Sequence, residues 1–251
     1  MTPTFYARFG KRCCDTLAAL VGLLFLSPLL LVTAIAVRLS SPGPALFSQI
    51  RIGRFGKPFR ILKFRTMRVA PTGPGCGSLL TATGDPRITP LGRWLRKTKI
   101  DELPQLFNVL AGHMSLVGPR PEVPLYTARY SERQKRVLLI RPGVTSPQIN
   151  FDEEALMAAC PDKEGVYLST ILPAKIEVGL TYCSNIRLLE DQRIILHTVG
   201  HVLRIILELA GLPNHRSGGP AVTAARDPAA LASHVASRTN ESGSAADSAP
   251  L

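Results

Sequence analysis

The sequence predicts an α+β protein that is mainly helical, with an N-terminal membrane helix, interfacial amphipathic helices and a small β-hairpin. Three observations lead to this prediction. Residues 17–37 form an uncharged apolar run, residues 45–67 hold two short β-favouring segments, and most of the remaining chain has helical periodicity. We expect the membrane helix over 1–40, a domain on the cytoplasmic face over 41–211, and a disordered tail over 212–251, which is rich in Ala, Ser, Gly and Pro.

Net charge and cysteine usage narrow the choice of partners. The 251 residues carry 30 Lys and Arg against 18 Asp and Glu, a formal charge of +12. Such an excess favours phosphate-bearing partners: nucleic acid, anionic lipid or nucleotide substrates. The five cysteines show no CxxC spacing, so neither a disulfide framework nor a zinc site is indicated. A nucleic-acid binder needs aromatic platforms between its cations, and with aromatic residues at 6% no nucleic-acid partner is expected.

The apolar run at 17–37 is long enough to cross a hydrocarbon core of about 30 Å as a helix. Ser27-Pro28 falls at its centre, where proline breaks the hydrogen-bond ladder and the serine hydroxyl can satisfy a freed backbone group. Basic residues lie on both sides of the run, and the positive-inside rule puts both flanks on the cytoplasmic face. Two interpretations stay open on these grounds: a proline-kinked spanning helix, and a helix broken at Ser27-Pro28 that enters and leaves by one leaflet.

The segment after the run predicts a hairpin. ALFSQIRIG and PFRILKFRTM carry alternating or β-favoured residues around a glycine-rich turn. In the second strand, Arg60, Lys63 and Arg65 present cations either to a neighbouring group or to solvent. Residues 70–84 are too dense in Pro and Gly for a helix or strand, so we expect a loop there.

Several helices are predicted further along the chain. Thr89-Pro90 is typical of an N-cap followed by the first helical residue, and the helix should reach about Lys97. Amphipathic or helical patterns cover 124–140, 161–182 and 186–209. The last has Leu and Ile on one side and Arg and His on the other, which suits a membrane surface.

Two adjacent carboxylates, Asp101 and Glu102, stand between a basic segment and the apolar run 103–110. Pro104 suits the first turn of a helix and Gly112 its end, so Asp101 lies just before or at the helix N-terminus. Unpaired amides there favour an ionised carboxylate and an incoming phosphate. The pair therefore indicates phosphoryl transfer with a divalent cation. The structural alternative is that Asp101 is only an N-cap.

Taken together, these segments resemble the bacterial sugar transferase family, the monotopic polyprenyl-phosphate phosphoglycosyl transferases. The resemblance spans roughly residues 5–210. Its matching pieces are the apolar segment with Ser27-Pro28, KFRTM at 63–67, DPRITPLGRWLRKT at 85–98, DELPQLFNVL at 101–110, MSLVGPRPE at 114–122 and RPGVTS at 141–146.

The resemblance implies a reaction. A phosphosugar would move from a nucleoside diphosphate sugar, which we expect to be a UDP-sugar, to polyprenyl (undecaprenyl) phosphate, initiating bacterial glycan or exopolysaccharide assembly. The implied location is the bacterial inner membrane, in contact with phospholipid, with the catalytic domain over 41–211 facing the cytoplasm. In this family the nucleophile matches Asp101, and the residue that helps hold Mg²⁺ matches Glu102.

The resemblance also implies roles for further residues. Ser27-Pro28 would make the helix re-entrant. Cations near the substrate phosphates match Lys63, Arg96 and Arg120, and we expect Arg65 and Arg141 to bind phosphate as well.

The chain departs from the family pattern in two places. His113 stands where the family commonly has Asp, so any supporting charge at that position is missing. SPQINFDEE follows RPGVT where many members have GWAQVNGRN, and this segment borders the nucleotide-sugar pocket in the family, so the resemblance does not name the sugar.

A different class of function is a non-catalytic protein that binds the membrane surface through its basic face, for which Asp101 would be dispensable. The sequence is compatible with a homo-oligomer.

Overall fold

The computed structural model describes residues 5–68, 85–147 and 162–211. The chain is mainly helical, as predicted, and contains two small two-stranded sheets in this part. The helices are α1 (Lys11–Ser40), α2 (Pro90–Thr98), α3 (Gln105–Leu110), α4 (Pro124–Thr127), α5 (Lys163–Val166), α6 (Leu172–Ser184) and α7 (Leu188–Leu209). The strands are β1 (Leu46–Ile52), β2 (Pro58–Phe64), β3 (Ser115–Val117) and β4 (Gly143–Thr145). The loop predicted at 70–84 and the tail predicted at 212–251 lie outside the described residues.

The apolar run forms a single long helix. One π-helical turn, Tyr6–Gly10, leads into α1, and α1 continues through Pro28, so the break predicted at Ser27-Pro28 does not end the helix. Pro28 has no N–H to donate to the carbonyl of Leu24, and the Ser27 hydroxyl donates to that oxygen at 2.8 Å instead. The predicted role of the serine hydroxyl is therefore confirmed. Re-entry into the same leaflet stays a prediction.

α1 packs against the rest of the chain along its whole length. Near its start, Asp15 accepts a hydrogen bond from the Ser115 hydroxyl at 2.7 Å. Ala19 is buried in the cluster that contains α3, and Val37, near the end of α1, packs with Leu95 of α2. The stripe between these contacts repeats every three or four residues, as one face of a helix does. The opposite face exposes large apolar side chains: Leu17, Leu20, Val21, Leu24, Phe25, Leu31, Val32 and Ile35.

β1 and β2 form the predicted hairpin, paired antiparallel from Leu46 opposite Phe64 to Ile52 opposite Pro58. Its turn contains a short 3-10 segment, Arg54–Gly56. Alternation along β2 buries the side chains that face α1 and α3 and exposes Arg60 on the other face.

A second sheet was not predicted. β3 and β4 pair in parallel, and they belong to the SLVGPRP and RPGVTS pieces of the sequence. Three residues in each strand are too few to show alternation. Gly118 and Gly143 allow the close pairing, because a Cβ on Gly143 would lie 2.1 Å from the backbone nitrogen of Gly118.

The helix predicted over 124–140 is wrong. The segment forms the short helix α4 and a separate 3-10 helix, Gln134–Leu139. Ser131 and Gln134 explain the division: the Ser131 N–H donates to Gln134 Oε1 at 2.9 Å, and the Gln134 N–H donates to Ser131 Oγ at 3.3 Å. This reciprocal pair has the hydrogen bonds of a capping box, and it closes the turn that leads into the 3-10 helix. The S-x-x-Q spacing was the overlooked signal.

The remaining helix predictions are confirmed within the described residues. The pattern over 161–182 appears as α5, a π-helical turn and α6, with Pro173 in the first turn of α6. The pattern over 186–209 appears as α7. Much of the apolar surface of α7 is exposed, at Leu188, Leu189, Leu196, Val199, Leu203, Ile206 and Leu209.

Candidate active site

The start of α2 packs two of the matching sequence segments against each other, KFRTM and DPRITPLGRWLRKT. Thr89 caps the helix as predicted, accepting the Gly92 N–H at 2.9 Å, and Pro90 follows it. Gly92 lies against the backbone of Thr66, so closely that a Cβ would be 2.0 Å from the Thr66 carbonyl oxygen. Only glycine permits this approach. The contact places α2 beside the end of β2.

A strained turn presents the acid pair. α2 ends at Thr98, and the capping residue Lys99 has the left-handed φ of 59° that is unfavourable for a residue with a Cβ. The chain then makes one 3-10 turn, Ile100–Glu102, before α3. α3 has Pro104 at its N-cap, and neither this helix nor the preceding turn has a side-chain cap. Asp101 is therefore not an N-cap.

Glu102 is held by two cations. Lys63 Nζ, on the inward face of β2, lies 2.8 Å from Glu102 Oε1, and Arg120 NH2 lies 2.9 Å from the same oxygen. Burial alone would raise the pKa of Glu102, but Arg120 and Lys63 hold it well below its usual range. Burial also lowers the pKa of Lys63, against the opposing charge of Glu102. Glu102 thus remains ionised in a cationic site.

Asp101 differs from its neighbour. It is only 7% exposed, and its Oδ1 is buried without a hydrogen-bond partner. Burial and the adjacent Glu102 charge raise the pKa of Asp101 to about 6, while the charges of Lys63, Lys99 and Arg96 oppose that rise. A buried carboxylate oxygen that nothing binds is costly unless it has a function.

Asn108 fixes the distance between the elements that carry Lys63 and Glu102. Its side chain accepts the N–H of Leu62 at 2.9 Å and donates to the carbonyl of Arg60 at 2.8 Å, so α3 is bonded to the backbone of β2. Local periodicity does not predict this role, because one asparagine in a helix carries no pattern. Its location in DELPQLFNVL is the only signal.

Arg120 is positioned by a buried network behind it. The loop that follows β3 contains Arg120 and Glu122, and Glu122 Oε1 accepts hydrogen bonds from Lys175 Nζ at 2.6 Å and from the Tyr167 hydroxyl at 2.8 Å. Lys175 Nζ also lies 3.1 Å from the Tyr167 hydroxyl. Lys175 and Tyr167 come from the helical segment 163–184, a contribution that sequence reasoning missed.

The other predicted phosphate-binding residues occupy different places. Arg96 lies close enough for its charge to act on Asp101. Arg65 is buried beside the end of α1, where its NH2 donates to the carbonyls of Val37 at 3.1 Å and Ser41 at 2.6 Å. Arg141 donates from Nε to the carbonyl of Gly112 at 2.9 Å, at the other end of α3 from the acid pair. The structure thus brings together Asp101, Glu102, Lys63, Arg96 and Arg120, and sets Arg65 and Arg141 apart.

The acid pair suits a magnesium ion. Carboxylate oxygens are hard donors, and Mg²⁺ is usually held by one or two carboxylates together with substrate phosphates and water. Asp101 Oδ1 is unpartnered, and both cations on Glu102 bind the same one of its oxygens. Across residues 5–68, 85–147 and 162–211 there is no cluster of three or more His, Cys, Asp or Glu that could hold a metal ion alone. The residues fit an ion that is completed by a phosphate substrate.

The chain is similar in sequence to known sugar-phosphate transferases. The family described as bacterial sugar transferase matches residues 6–205. The UDP-glucose:undecaprenyl-phosphate glucose-1-phosphate transferase of Caulobacter vibrioides is 39% identical over 77% of this chain and 69% of its own length. The UDP-N-acetylgalactosamine-undecaprenyl-phosphate N-acetylgalactosaminephosphotransferase of Aeromonas hydrophila is 36% identical over 81% of this chain and 46% of its own length. The exopolysaccharide production protein PSS of Rhizobium leguminosarum bv. phaseoli is 39% identical over 75% of this chain and 92% of its own length. The chain spans less than half of the Aeromonas protein.

Proposed function

The chain belongs to the bacterial sugar transferase family, and on that premise we propose that it transfers a phosphosugar from a UDP-sugar to undecaprenyl phosphate through a covalent intermediate on Asp101. The names of the Caulobacter and Aeromonas relatives support the donor and acceptor classes, and they differ in the sugar. The name of the Rhizobium relative supports a role in exopolysaccharide production.

The proposed reaction has two displacements at one phosphorus atom. A carboxylate oxygen of Asp101 attacks the phosphorus that bears the sugar, and the bond from that phosphorus to the bridging oxygen breaks, so that the nucleoside monophosphate leaves with the electron pair. An oxygen of undecaprenyl phosphate then attacks the same phosphorus and releases the Asp101 carboxylate. Both steps use the same site, so the same cations supply positive charge in the first displacement and again in the second.

The cations make the approach of like charges feasible. Donor, acceptor and Asp101 are all anionic, and Lys63, Arg96 and Arg120 supply positive charge at the place where they meet. Glu102 is the residue that would hold Mg²⁺, with Asp101 beside it. When bound, Mg²⁺ would neutralise phosphate charge and orient the diphosphate. Glu102 itself keeps Lys63 and Arg120 aimed at the site through the bonds at 2.8 and 2.9 Å.

The observation that carries the proposal is the state of Asp101. Its Oδ1 is buried, has no hydrogen-bond partner and caps no helix. A nucleophile must keep an oxygen free of such partners, whereas a structural aspartate uses its oxygens.

We also propose that the protein is monotopic in the bacterial inner membrane, with α1 re-entrant and the catalytic domain on the cytoplasmic side. α1 is the one helix in the described part of the chain that is long and apolar enough to cross a membrane. Both of its ends contact the same domain, at Asp15 and at Val37. A helix that spanned the bilayer would carry one end away from that domain, whereas a re-entrant helix keeps both ends at one interface.

The replacement Asp101→Asn tests the covalent mechanism. Purified protein in detergent with Mg²⁺, a UDP-sugar and undecaprenyl phosphate is assayed for release of nucleoside monophosphate. We expect no turnover in the variant, because an amide cannot form the acyl phosphate, and we expect the wild type with UDP-sugar alone to show a phosphosugar adduct on Asp101 by intact mass. A panel of UDP-sugars identifies the sugar.

Asp162→Asn is the matched control. Asp162 Oδ1 accepts the Gly165 N–H at 2.8 Å, so this aspartate is a cap, and asparagine caps equally well. Its variant should keep full turnover. Retained turnover in Asp101→Asn, with no adduct in the wild type, would instead favour direct transfer in a ternary complex. Absence of turnover in the wild type with every donor, together with intact membrane binding, would favour the non-catalytic membrane-surface protein.

A further inference from the structure

The tip of the hairpin carries an aromatic residue in an unfavourable conformation. Phe55 has φ 59° and ψ 27°, the left-handed region that glycine or asparagine adopts more readily than a bulky residue. Its side chain is 60% exposed. Neither packing nor the active site explains an exposed ring at this position, and strain of this kind concentrates where a residue has a function.

Arg54 lies in this tip, and Arg141 and Arg12 are near Arg54 in the fold, since burial and the charges of Arg54 and Arg12 lower the pKa of Arg141. The guanidinium of Arg54 lies 4.4 Å from the centre of the Phe55 ring, and its Nε donates at 3.0 Å to the carbonyl of Leu139, another exposed apolar residue. Arg141 comes two residues after Leu139 in the chain, and it donates to the carbonyl of Gly112. The guanidinium of Arg12 also lies next to Gly112.

In the described part of the chain, no carboxylate lies within ion-pair distance of these arginines. Arg12 donates to the carbonyls of Val109 at 2.7 Å and Leu110 at 3.2 Å, and Arg54 and Arg141 also use only backbone carbonyls. Within the described ranges none of the three forms an ion pair. Each contact leaves further N–H groups of the guanidinium for another acceptor.

Arg12 locates the group relative to the membrane. It lies near the start of α1, between two exposed apolar residues: Phe9 on the preceding π-helical turn and Leu17 on α1. Because a re-entrant α1 keeps both of its ends at one membrane interface, a residue near its N-terminal end lies close to that interface. Arg12 and the arginines near it are therefore within reach of lipid phosphates, provided that α1 enters the membrane as proposed above.

We propose that Arg12, Arg54, Phe55, Leu139 and Arg141 form a second membrane contact, the tip cluster, which binds anionic phospholipid. Phe55 and Leu139 insert into the interfacial layer, and the three guanidiniums bind lipid phosphates. Aromatic rings are favoured at that depth, and each arginine near an anionic surface strengthens its binding about fivefold. The tip cluster would orient the domain on the membrane independently of α1.

A single tryptophan at the tip tests this proposal in the full-length protein. Trp94 is replaced by Phe, Phe55 by Trp, and the protein is reconstituted in phosphatidylcholine vesicles that contain 0 or 30% phosphatidylglycerol and a shallow spin-labelled lipid. We expect a blue-shifted emission, quenched by the spin label, and stronger quenching with phosphatidylglycerol. Leu139→Trp in the same background repeats the measurement at the second apolar residue.

Ser169→Trp provides the control. Ser169 is exposed, and its neighbours Tyr167 and Ile171 pack in a cluster that contains no residue of α1. Its emission should stay unquenched. Adding Arg54→Gln to Phe55→Trp should weaken the phosphatidylglycerol dependence about fivefold.

Vesicle flotation separates this proposal from the one on which it rests. Flotation with quenching at both tip positions supports the tip cluster. Flotation without quenching at residues 55 and 139 overturns the tip cluster and leaves the membrane location of α1 intact. Absence of flotation overturns both the tip cluster and the membrane location of α1. Quenching that is equal with and without phosphatidylglycerol overturns the role of the arginines.

Discussion

The buried pair of Lys175 and Glu122 offers a prediction whose size follows from the structure. Lys175 is 3% exposed and Glu122 is 6% exposed, and their Nζ and Oε1 atoms lie 2.6 Å apart. Lys175→Met keeps most of the side-chain volume and removes the charge. Glu122 is then left buried with the neutral Tyr167 hydroxyl, which donates to Oε1 at 2.8 Å, and with Arg51, whose NH1 lies 3.8 Å from Oε2. Breaking a buried pair by removing one partner costs about 3–5 kcal/mol, and the remote Arg51 places this case near the lower end.

The assay is thermal unfolding in detergent combined with steady-state kinetics. A loss of about 3 kcal/mol corresponds to a fall in Tm of about 6–12 °C for a domain of this size. Because Glu122 anchors the loop that carries Arg120, we also expect kcat to fall in the molecules that remain folded. The double variant Lys175→Met with Glu122→Leu should recover much of the lost stability, since no buried charge is left alone.

Glu177→Gln is the matched control on the same helix. Glu177 pairs with Arg133 at the surface, where solvent screens the pair, so the loss should be at most about 1 kcal/mol. A Tm of Lys175→Met within a degree or two of the wild type, or a larger loss in Glu177→Gln, would show that the buried Lys175–Glu122 pair does not contribute as expected. A double variant less stable than Lys175→Met would mean that packing, and not charge, dominates.

Three further predictions concern the site and the membrane helix. Arg120→Lys should lower turnover strongly with little change in Tm, because a lysine cannot reproduce the planar fork of the guanidinium for phosphate; unchanged kinetics would show that Arg120 only shapes its turn. Glu102→Gln should leave low activity that needs more Mg²⁺, seen in a metal titration, and an unshifted titration would remove Glu102 as the metal ligand. Cysteine labelling from outside intact cells should reach neither 1–12 nor 45–68, and Pro28→Ala should favour a spanning helix in which labelling reaches 1–12. Labelling of the N-terminal flank in the wild type would exclude re-entry.

Local sequence patterns were sufficient for much of this protein. The apolar run, the hairpin and the cap at Thr89 were predicted because each depends on neighbouring residues: uncharged length, alternation, and a side chain one turn from the amide it binds. The acid pair was also found locally, as two carboxylates before a proline-led helix. The helix over 124–140 failed for a local reason too, since apolar spacing was given more weight than the capping box at Ser131.

By itself, then, the sequence determined the long apolar helix, the hairpin, most of the helices, the acid pair and the family, because these are carried by short patterns and by their order. Only the tertiary structure decided which cations serve the acid pair. Lys63 and Arg65 are two residues apart in the chain, yet Lys63 reaches Glu102 and Arg65 is buried at the end of α1. Neither Lys175 nor Tyr167 belongs to a motif, although both hold the loop of Arg120. Charge and periodicity along the chain indicate which charged side chains are available, whereas the partner of each side chain depends on how distant helices and strands pack.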